Sequence, residues 1–333
     1  MPIREGLYTV DFIVPVYNEA ENIHLFENEL SSVMSAENPN INYSIIFVND
    51  GSSDESWKEI TLLSEKHPNI IGINFARNFG KEAAMEAGLM QSRGDAAIVI
   101  DADLQHPIDL VPNMISAWEN EDYKIVSAVK SERQSESYIM RIFAGAYYHL
   151  FTKICGFNIQ KASDFKLLDR EIIARYLSMP EQERFFRGLI AWMGYPEKKL
   201  EFKPLERIEG ESSWSIFQLF NYAKNSLLAF SYAPLKLIGA ISYLMLLVAF
   251  ILTFHSLYTW ASGDAHEGFT TVIILQLLTT SMIMVGLHAI SSYIAKIYDE
   301  LKGRPRFLVQ QTVGLGDQKS GSTDILYDQA GNM

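Results

Sequence analysis

The sequence predicts an α/β domain on a mostly parallel sheet, followed by a short amphipathic helix and two helices long enough to cross a bilayer. Three observations predict it. Over about the first 200 residues, short apolar runs alternate with amphipathic segments of helical period, the pattern of strand–helix–strand units. Three of these apolar runs end in abruptly polar clusters, at 17–19, 49–54 and 101–106, where a parallel sheet places its ligands. From Leu237 to Ala295 there is neither Lys nor Arg.

Taken in order, Val10–Val16 reads as the first strand, and Asn18-Glu19-Ala20-Glu21 opens a helix with acids in its first turn, where they complement the helix dipole. Tyr43–Val48 is the second strand. It ends in Asn49-Asp50-Gly51-Ser52-Ser53-Asp54, a turn cluster in which Asp54 is assigned mainly to capping the next helix. Ile70–Phe75 is the third strand and Ala96–Ile100 the fourth.

Directly after the fourth run comes Asp101-Ala102-Asp103-Leu104-Gln105-His106. Two carboxylates at i and i+2 at a strand end can reach one divalent cation, and a hard cation with oxygen ligands is what a departing diphosphate needs. An isolated Asp-x-Asp is short and common, and two acids can equally serve to keep a strand end solvated. Three polar clusters at three strand ends are better explained by one ligand crevice than by solvation. His106 is read as a bystander. No G-x-G-x-x-G follows any strand and no G-x-x-x-x-G-K-[ST] occurs, so a dinucleotide-binding or P-loop reading lacks its phosphate loop.

Composition narrows the classes further. The 333 residues carry a net charge of −12, which leaves no basic footprint for nucleic acid. Cys155 is the single cysteine, so there is no intramolecular disulfide and no zinc signal. Met1–Gly6 contains no apolar core of signal-peptide length, and about the first 230 residues are expected to stay on the side of the membrane where they are made.

Two apolar runs, about 237–260 and 269–295, each exceed the roughly 20 residues needed to span a bilayer. Lys224 and Lys236 precede them; Lys296, Lys302, Arg304 and Arg306 follow; the loop between carries only acids. The positive-inside rule then places both termini in the cytoplasm. The expected organisation is a catalytic domain over 1–212, an amphipathic juxtamembrane helix over 213–233, two spans within 234–298, and a tail over 299–333 that is disordered from Leu315 onward. The helix could lie under the membrane or pack on the domain.

The series Val14-Pro15-Val16-Tyr17-Asn18-Glu19, Val48–Asp54, Arg77-Asn78-Phe79-Gly80-Lys81-Glu82 and Asp101–Pro107 resembles the inverting family-two glycosyltransferases. Within them it is most similar to the polyprenyl-phosphate group of dolichyl-phosphate mannose synthase and bactoprenol glucosyltransferase. The likeness continues through Ser163–Arg170, Arg184–Leu189 and Gly210–Trp214 into the two spans, covering about residues 8–310.

The resemblance implies a GT-A-type domain that takes a nucleotide-diphosphate sugar. Asp50 and the backbone near Pro15 and Tyr17 would hold base and ribose, with Glu19 close by; Lys81 and Asp101 would serve the rest of the donor, Arg184 and Arg187 the donor diphosphate or Asp164, and Asp101, Asp103 and Gln105 a Mg²⁺ or Mn²⁺ ion. Asp164 and Asp103 are the catalytic candidates, with Asp164 orienting acceptor or sugar, because a phosphate monoester is already ionised near neutrality and needs no strong base. Asp169 is assigned to structure. A lipid phosphate calls for cationic or hydrogen-bonding partners, for which Arg133, Arg141, Arg207 and Ser212 are candidates. Many relatives have a Lys in the last segment where this chain has Ser213, which puts one phosphate contact in doubt.

The implied reaction gives a β-linked polyprenyl-phosphate hexose, with UDP-glucose as first choice of donor, undecaprenyl or another polyprenyl phosphate as acceptor, and a homotetramer as the assembly. A mannose or aminosugar synthase would use the same residues. A processive polysaccharide synthase would need Gln-x-x-Arg-Trp, which Gln182-Glu183-Arg184-Phe185 does not supply. An inactive membrane scaffold would tolerate loss of the metal acids, and here they are intact.

Overall fold

The computed structural model describes residues 8–37, 41–130, 145, 149, 151–157, 163–182, 184–202, 233–262 and 269–315. Arg133, Arg141, Arg207, Ser212 and the amphipathic segment expected over 213–233, apart from its last residue, lie outside them.

The sheet is built outward from β1 (Thr9–Val16). It is flanked on one side by β2 (Asn42–Asn49) and β3 (Ile70–Phe75), and on the other by β4 (Ala96–Val99), all parallel. α1 (Ala20–Glu37), α2 (Ser56–Lys66) and α3 (Lys81–Gln91) make the crossovers between them. These strands are nearly continuous Val, Ile and Phe because a parallel sheet is covered by helices on both faces. Phe12, Val14, Ile45, Phe47, Ile98 and Val99 are fully buried. α3 packs so closely on β1 that a Cβ on Gly88 would come 2.3 Å from Cγ2 of Ile13, so only glycine fits there. This close packing sets the start of α3, with Lys81, at the C-terminal ends of the strands.

Beyond β4 the sheet becomes mixed. α4 (Val111–Asn120) leads to β5 (Ile125–Lys130); β6 (Lys166–Asp169) runs antiparallel between β4 and β5; and β7 (Glu197–Phe202) lies parallel to β5 at the edge. α5 (Arg170–Leu177) and α6 (Phe186–Trp192) lie between β6 and β7 in sequence. Asp169 caps α5 through the Glu171 N–H at 2.9 Å and accepts the buried Trp118 indole N–H at 2.9 Å, a structural role as expected.

The opposite edge corrects the expected domain boundary. Val309–Val313 forms β8, antiparallel to β3 from Gly72↔Val313 to Phe75↔Val309, giving the order β7-β5-β6-β4-β1-β2-β3-β8. The domain is therefore not confined to 1–212, and part of the segment read as a tail completes its sheet. The anchor is apolar. Phe307 stacks on Phe75 with centroids 5.0 Å apart, and burying such side chains contributes roughly 1.5–3 kcal/mol each. The Trp57 indole N–H also donates to Gln311 Oε1 at 2.9 Å, and the Ala76 N–H to the Leu308 carbonyl at 2.9 Å.

The chain divides into two compact units, this one (Met1–Thr152, Phe157–Ser213, Gly303–Met333) and a second (Lys153–Gly156, Trp214–Lys302). The second contains α7 (Ala233–Ala261) and α8 (Phe269–Leu301), which hold the two apolar stretches Ile238–His255 and Leu275–Leu301. Ile238 of α7 lies against Gly286 of α8. Outward from that contact the helices leave large apolar side chains bare, among them Tyr243 at 77% and Phe254 at 64% exposure. A soluble helix hairpin would cover such residues; a lipid layer needs no cover.

Candidate active site

The crevice is assembled from the C-terminal ends of β1, β2 and β4. After β1, Asn18 takes a left-handed conformation (φ 55°), and its Oδ1 accepts the Ser53 N–H at 2.8 Å, while its own N–H donates to Ser52 Oγ at 2.9 Å. Asp54 accepts from the N–H groups of Ser56 (3.0 Å) and Ala20 (3.2 Å), tying the first turns of α2 and α1 together; the capping assignment fits this geometry. Gly51 (φ 66°) is pressed against the Arg77–Asn78 backbone so tightly that a Cβ would come 2.4 Å from the Arg77 carbonyl carbon. The loop after β2 thus shapes the loop before α3.

Asp50 does this work. Its carboxylate is buried, and both oxygens accept backbone N–H groups, Phe79 at 2.6 Å and Gly80 at 2.9 Å. Burial raises its pKa and these two donors oppose the shift. Asp50 thereby holds the 77–80 loop at the end of β2. Tyr17, half exposed at the end of β1, is the open aromatic surface of the crevice.

At the centre lies a chain of alternating charges. Lys81 Nζ is 2.7 Å from Asp101 Oδ1, 2.8 Å from Asp101 Oδ2 and 2.9 Å from Asp164 Oδ2. Arg187, in the first turn of α6, grips Asp164 in a bidentate pair, Nε to Oδ1 at 2.6 Å and Nη2 to Oδ2 at 2.7 Å. Burial works against the charged form of each of these acids. For Asp101 it is outweighed by His106 and Lys81, and for Asp164 by Arg187 and Lys81, so both carboxyls titrate below the usual range. Lys81 is pushed upward by the same two acids despite its burial.

His106 corrects a sequence reading. Its buried ring packs on Phe165 and Phe202, and its Nε2 lies 3.5 Å from Asp101 Oδ2, so it is a neighbour of the acid rather than a bystander. Glu82 was missed altogether. Its carboxylate accepts the Phe186 N–H at 2.9 Å, joining the start of α3 to the start of α6; burial and then the Asp164 charge raise its pKa to about 7. The available signal was its place beside Lys81 at the opening of a helix.

Arg184 is the clearest departure. Its guanidinium is buried and spent on the carbonyls of Tyr176 (2.9 Å), Leu177 (3.2 Å) and Met179 (2.6 Å). Its Nε lies 3.7 Å from Glu86, which also pairs with Arg306. It braces the turn between α5 and α6.

Asp103 differs from its partner acid. Its Oδ1 accepts the N–H of Gln105 in its own turn at 3.1 Å, across Leu104 in a left-handed conformation (φ 55°). Among the described residues no three Asp, Glu, His or Cys side chains converge as a ready-made metal cage. The residues nonetheless fit a Mg²⁺ or Mn²⁺ ion that arrives with phosphates, because such an ion takes one or two protein carboxylates and fills its shell from substrate and water. The electrostatics agree. Burial first, and then the charges of Asp103, Asp101 and Asp54, raise the pKa of Glu19 against the stabilising Asn22 amide, the mark of a crevice short of positive charge.

The sequence profile of glycosyl transferase family 2 matches residues 11–176. The chain is 34% identical over 309 residues to an uncharacterized glycosyltransferase of Bacillus subtilis, YkcC, covering 92% of this chain and 95% of that protein. The chain is a family 2 glycosyltransferase. Within the family it falls in the polyprenyl-phosphate group. It is 32% identical over 304 residues to the prophage bactoprenol glucosyl transferase homolog of Escherichia coli (91% of this chain, 98% of that protein), and 31% identical over 303 residues to the bactoprenol glucosyl transferase of Shigella phage SfX (90% and 98%). Among solved structures, this glycosyltransferase is similar to the mannosyltransferase PcManGT of Pyrobaculum calidifontis, in complex with GDP-Man and Mn²⁺. The TM-score is 0.44 at 17% identity, over 86% of this chain and 89% of that one. Its GT-A-type sheet agrees with the expected fold class.

Proposed function

We propose that this glycosyltransferase moves a hexose, glucose from UDP-glucose in the first instance, onto undecaprenyl or a related polyprenyl phosphate with inversion. The acidic turn Asp101–Asp103 facing the Lys81–Asp164–Arg187 chain is the observation that carries the reading. It sets paired carboxylates for a diphosphate-bound cation beside two cationic side chains for phosphate, in a chain with two bare apolar helices. The bactoprenol names of its relatives favour glucose and a polyprenyl acceptor.

In this reading Asp101 and Asp103, with Gln105 in the same turn, would hold a Mg²⁺ or Mn²⁺ ion, which would supply Lewis-acid neutralisation of the departing nucleoside diphosphate's charge. Tyr17 presents its open ring, and Pro15 its backbone, to the nucleotide, while Asp50 shapes the 77–80 loop and Glu19 adds to the field that draws the cation. Lys81 and Arg187 bind phosphate oxygens. Asp164, fixed by Arg187, orients the acceptor or sugar. An oxygen of the acceptor phosphate forms the new bond at the anomeric carbon as the bond to the nucleoside diphosphate breaks on the opposite face. Because that oxygen is already anionic, no proton need be removed.

Connectivity supports a cytoplasmic domain with two crossings: residues before and after the helix pair belong to one sheet, so both ends of the pair emerge on the same side. The basic flanks favour the cytoplasmic side. Arg133, Arg141, Arg207 and Ser212 remain the proposed partners of the lipid phosphate, and a homotetramer the proposed assembly.

The test incubates the purified full-length protein with undecaprenyl phosphate and labelled UDP- and GDP-sugars, with and without EDTA. Labelled lipid from UDP-glucose, lost with EDTA, is expected. Label from GDP-mannose or a UDP-N-acetylhexosamine instead would replace the donor, and no labelled lipid from any of the donors would sink the enzyme reading.

A further inference from the structure

Asp101 lies against the Lys81 ammonium, with the His106 ring beside it. A carboxylate meant for a divalent ion would stand desolvated and unneutralised in the donor-free enzyme, which is costly unless another positive group covers it. Lys81 does so. Its ammonium sits against both oxygens of Asp101, at 2.7 and 2.8 Å, and bridges to Asp164 at 2.9 Å.

We propose that Lys81 is an internal stand-in for the metal. It neutralises Asp101 and Asp164 while the donor is absent, and swings onto the diphosphate when donor and metal arrive together. The inference rests on the donor reading above.

Three features favour an exchangeable cation over a fixed structural pair. Lys81 reaches the acids on a four-carbon stem from the first turn of α3, and its side chain keeps 40% exposure, so it can leave without repacking the core. Asp164 keeps the bidentate Arg187 when Lys81 departs, so the move strands no buried charge. Asp103, by contrast, accepts from its own turn, which leaves it the open half of the pair. The consequence is an order of events. Metal alone must compete with Lys81 for Asp101, whereas metal on a diphosphate supplies Lys81 with a new anionic partner and removes the competition.

Mn²⁺ binding to the full-length protein in detergent, followed by the electron paramagnetic resonance signal of free Mn²⁺, tests this without any turnover. Wild type should bind Mn²⁺ at least about tenfold more tightly with UDP than without, since about 1.4 kcal/mol of relieved competition is tenfold in affinity. Lys81→Met and Lys81→Gln should bind Mn²⁺ alone at least about tenfold more tightly than wild type, while Lys81→Arg, which keeps the charge, should stay close to it. A gain in K81M that disappears in K81M/D101N would locate the effect on that carboxylate.

Mn²⁺ affinity without UDP that is unchanged or weakened in both neutral variants overturns the proposal and leaves the donor reading standing. So does wild-type affinity for Mn²⁺ alone that equals its affinity with UDP. Failure of wild type to bind Mn²⁺ even with UDP removes the donor reading, and this inference with it.

Discussion

Asp11 and Asp101, at the two ends of the parallel sheet, are held in opposite ways. At the N-terminal end Asp11 is buried and one oxygen accepts Ser92 Oγ (2.8 Å) and the N–H groups of Arg93 and Gly94 (2.7 Å each), while Arg170 clasps the Gly94 carbonyl of the same turn at 2.7 Å. At the C-terminal end Asp101 and Asp164 are held by the side chains of Lys81 and Arg187, and Asp103 by its own turn. Backbone donors cannot leave and side chains can. The first arrangement fixes a fold, whereas the second rests on side chains that can exchange partners.

Substitutions should separate the two ends. The largest effect is expected for Asp103→Asn, which should lower turnover by about a thousandfold or more, roughly 4 kcal/mol of transition-state stabilisation, with little change in melting temperature. Full activity in the polyprenyl-phosphate assay would refute its role. Asp11→Asn should do the reverse. Losing a buried charge-assisted acceptor for two backbone N–H groups should cost about 2–4 kcal/mol in denaturant unfolding and leave turnover per folded molecule near wild type.

Arg187→Lys keeps the charge but loses the fork that fits Asp164, and a fall of roughly 10–100-fold in kcat/KM is expected. An unchanged value would show that the bidentate geometry is dispensable.

The smallest effect depends on pH. The Glu82 carboxyl has its pKa raised to about 7 in the folded protein, against an ordinary value of 4.5, so the folded state binds the proton more tightly than the unfolded state. Its favourable contribution is complete below the ordinary value and is lost as pH rises toward 7. Glu82→Gln should therefore melt near wild type at pH 5 and become the more stable protein by pH 8, by on the order of 1–3 kcal/mol. Asp101 and Asp164, whose pKa values are lowered, have the opposite sign: their pairs stabilise the fold above the ordinary carboxylate range and fail as pH falls through their lowered values.

Much of the fold could be read from the sequence where burial leaves a compositional trace. The apolar runs of β1 to β4 gave themselves away because helices cover both faces. The later strands did not. β7 reads Glu-Lys-Lys-Leu-Glu-Phe because it is an edge strand with one half-exposed face, and β8 reads Val-Gln-Gln-Thr-Val and lies beyond the two apolar helices in sequence. The acidic turn was legible because both its acids fall within three residues. The contact of Lys81 with Asp164 spans 83 positions, so only the folded chain reveals the charge relay. Arg184 was not legible because a charged residue in a family motif looks the same in sequence whether it meets a ligand or a backbone carbonyl, and here its guanidinium is buried among carbonyls.

The placement of β8 reaches back into the making of the protein. Synthesis runs from the N-terminus, so the strand that covers the β3 edge leaves the ribosome only after both apolar helices have been made. Until then β3 offers a row of unpaired backbone groups to any passing strand, and the nascent enzyme carries an open seam while both apolar helices are being made. Closing that seam makes completion of the sheet a report that the whole helix pair has been synthesised.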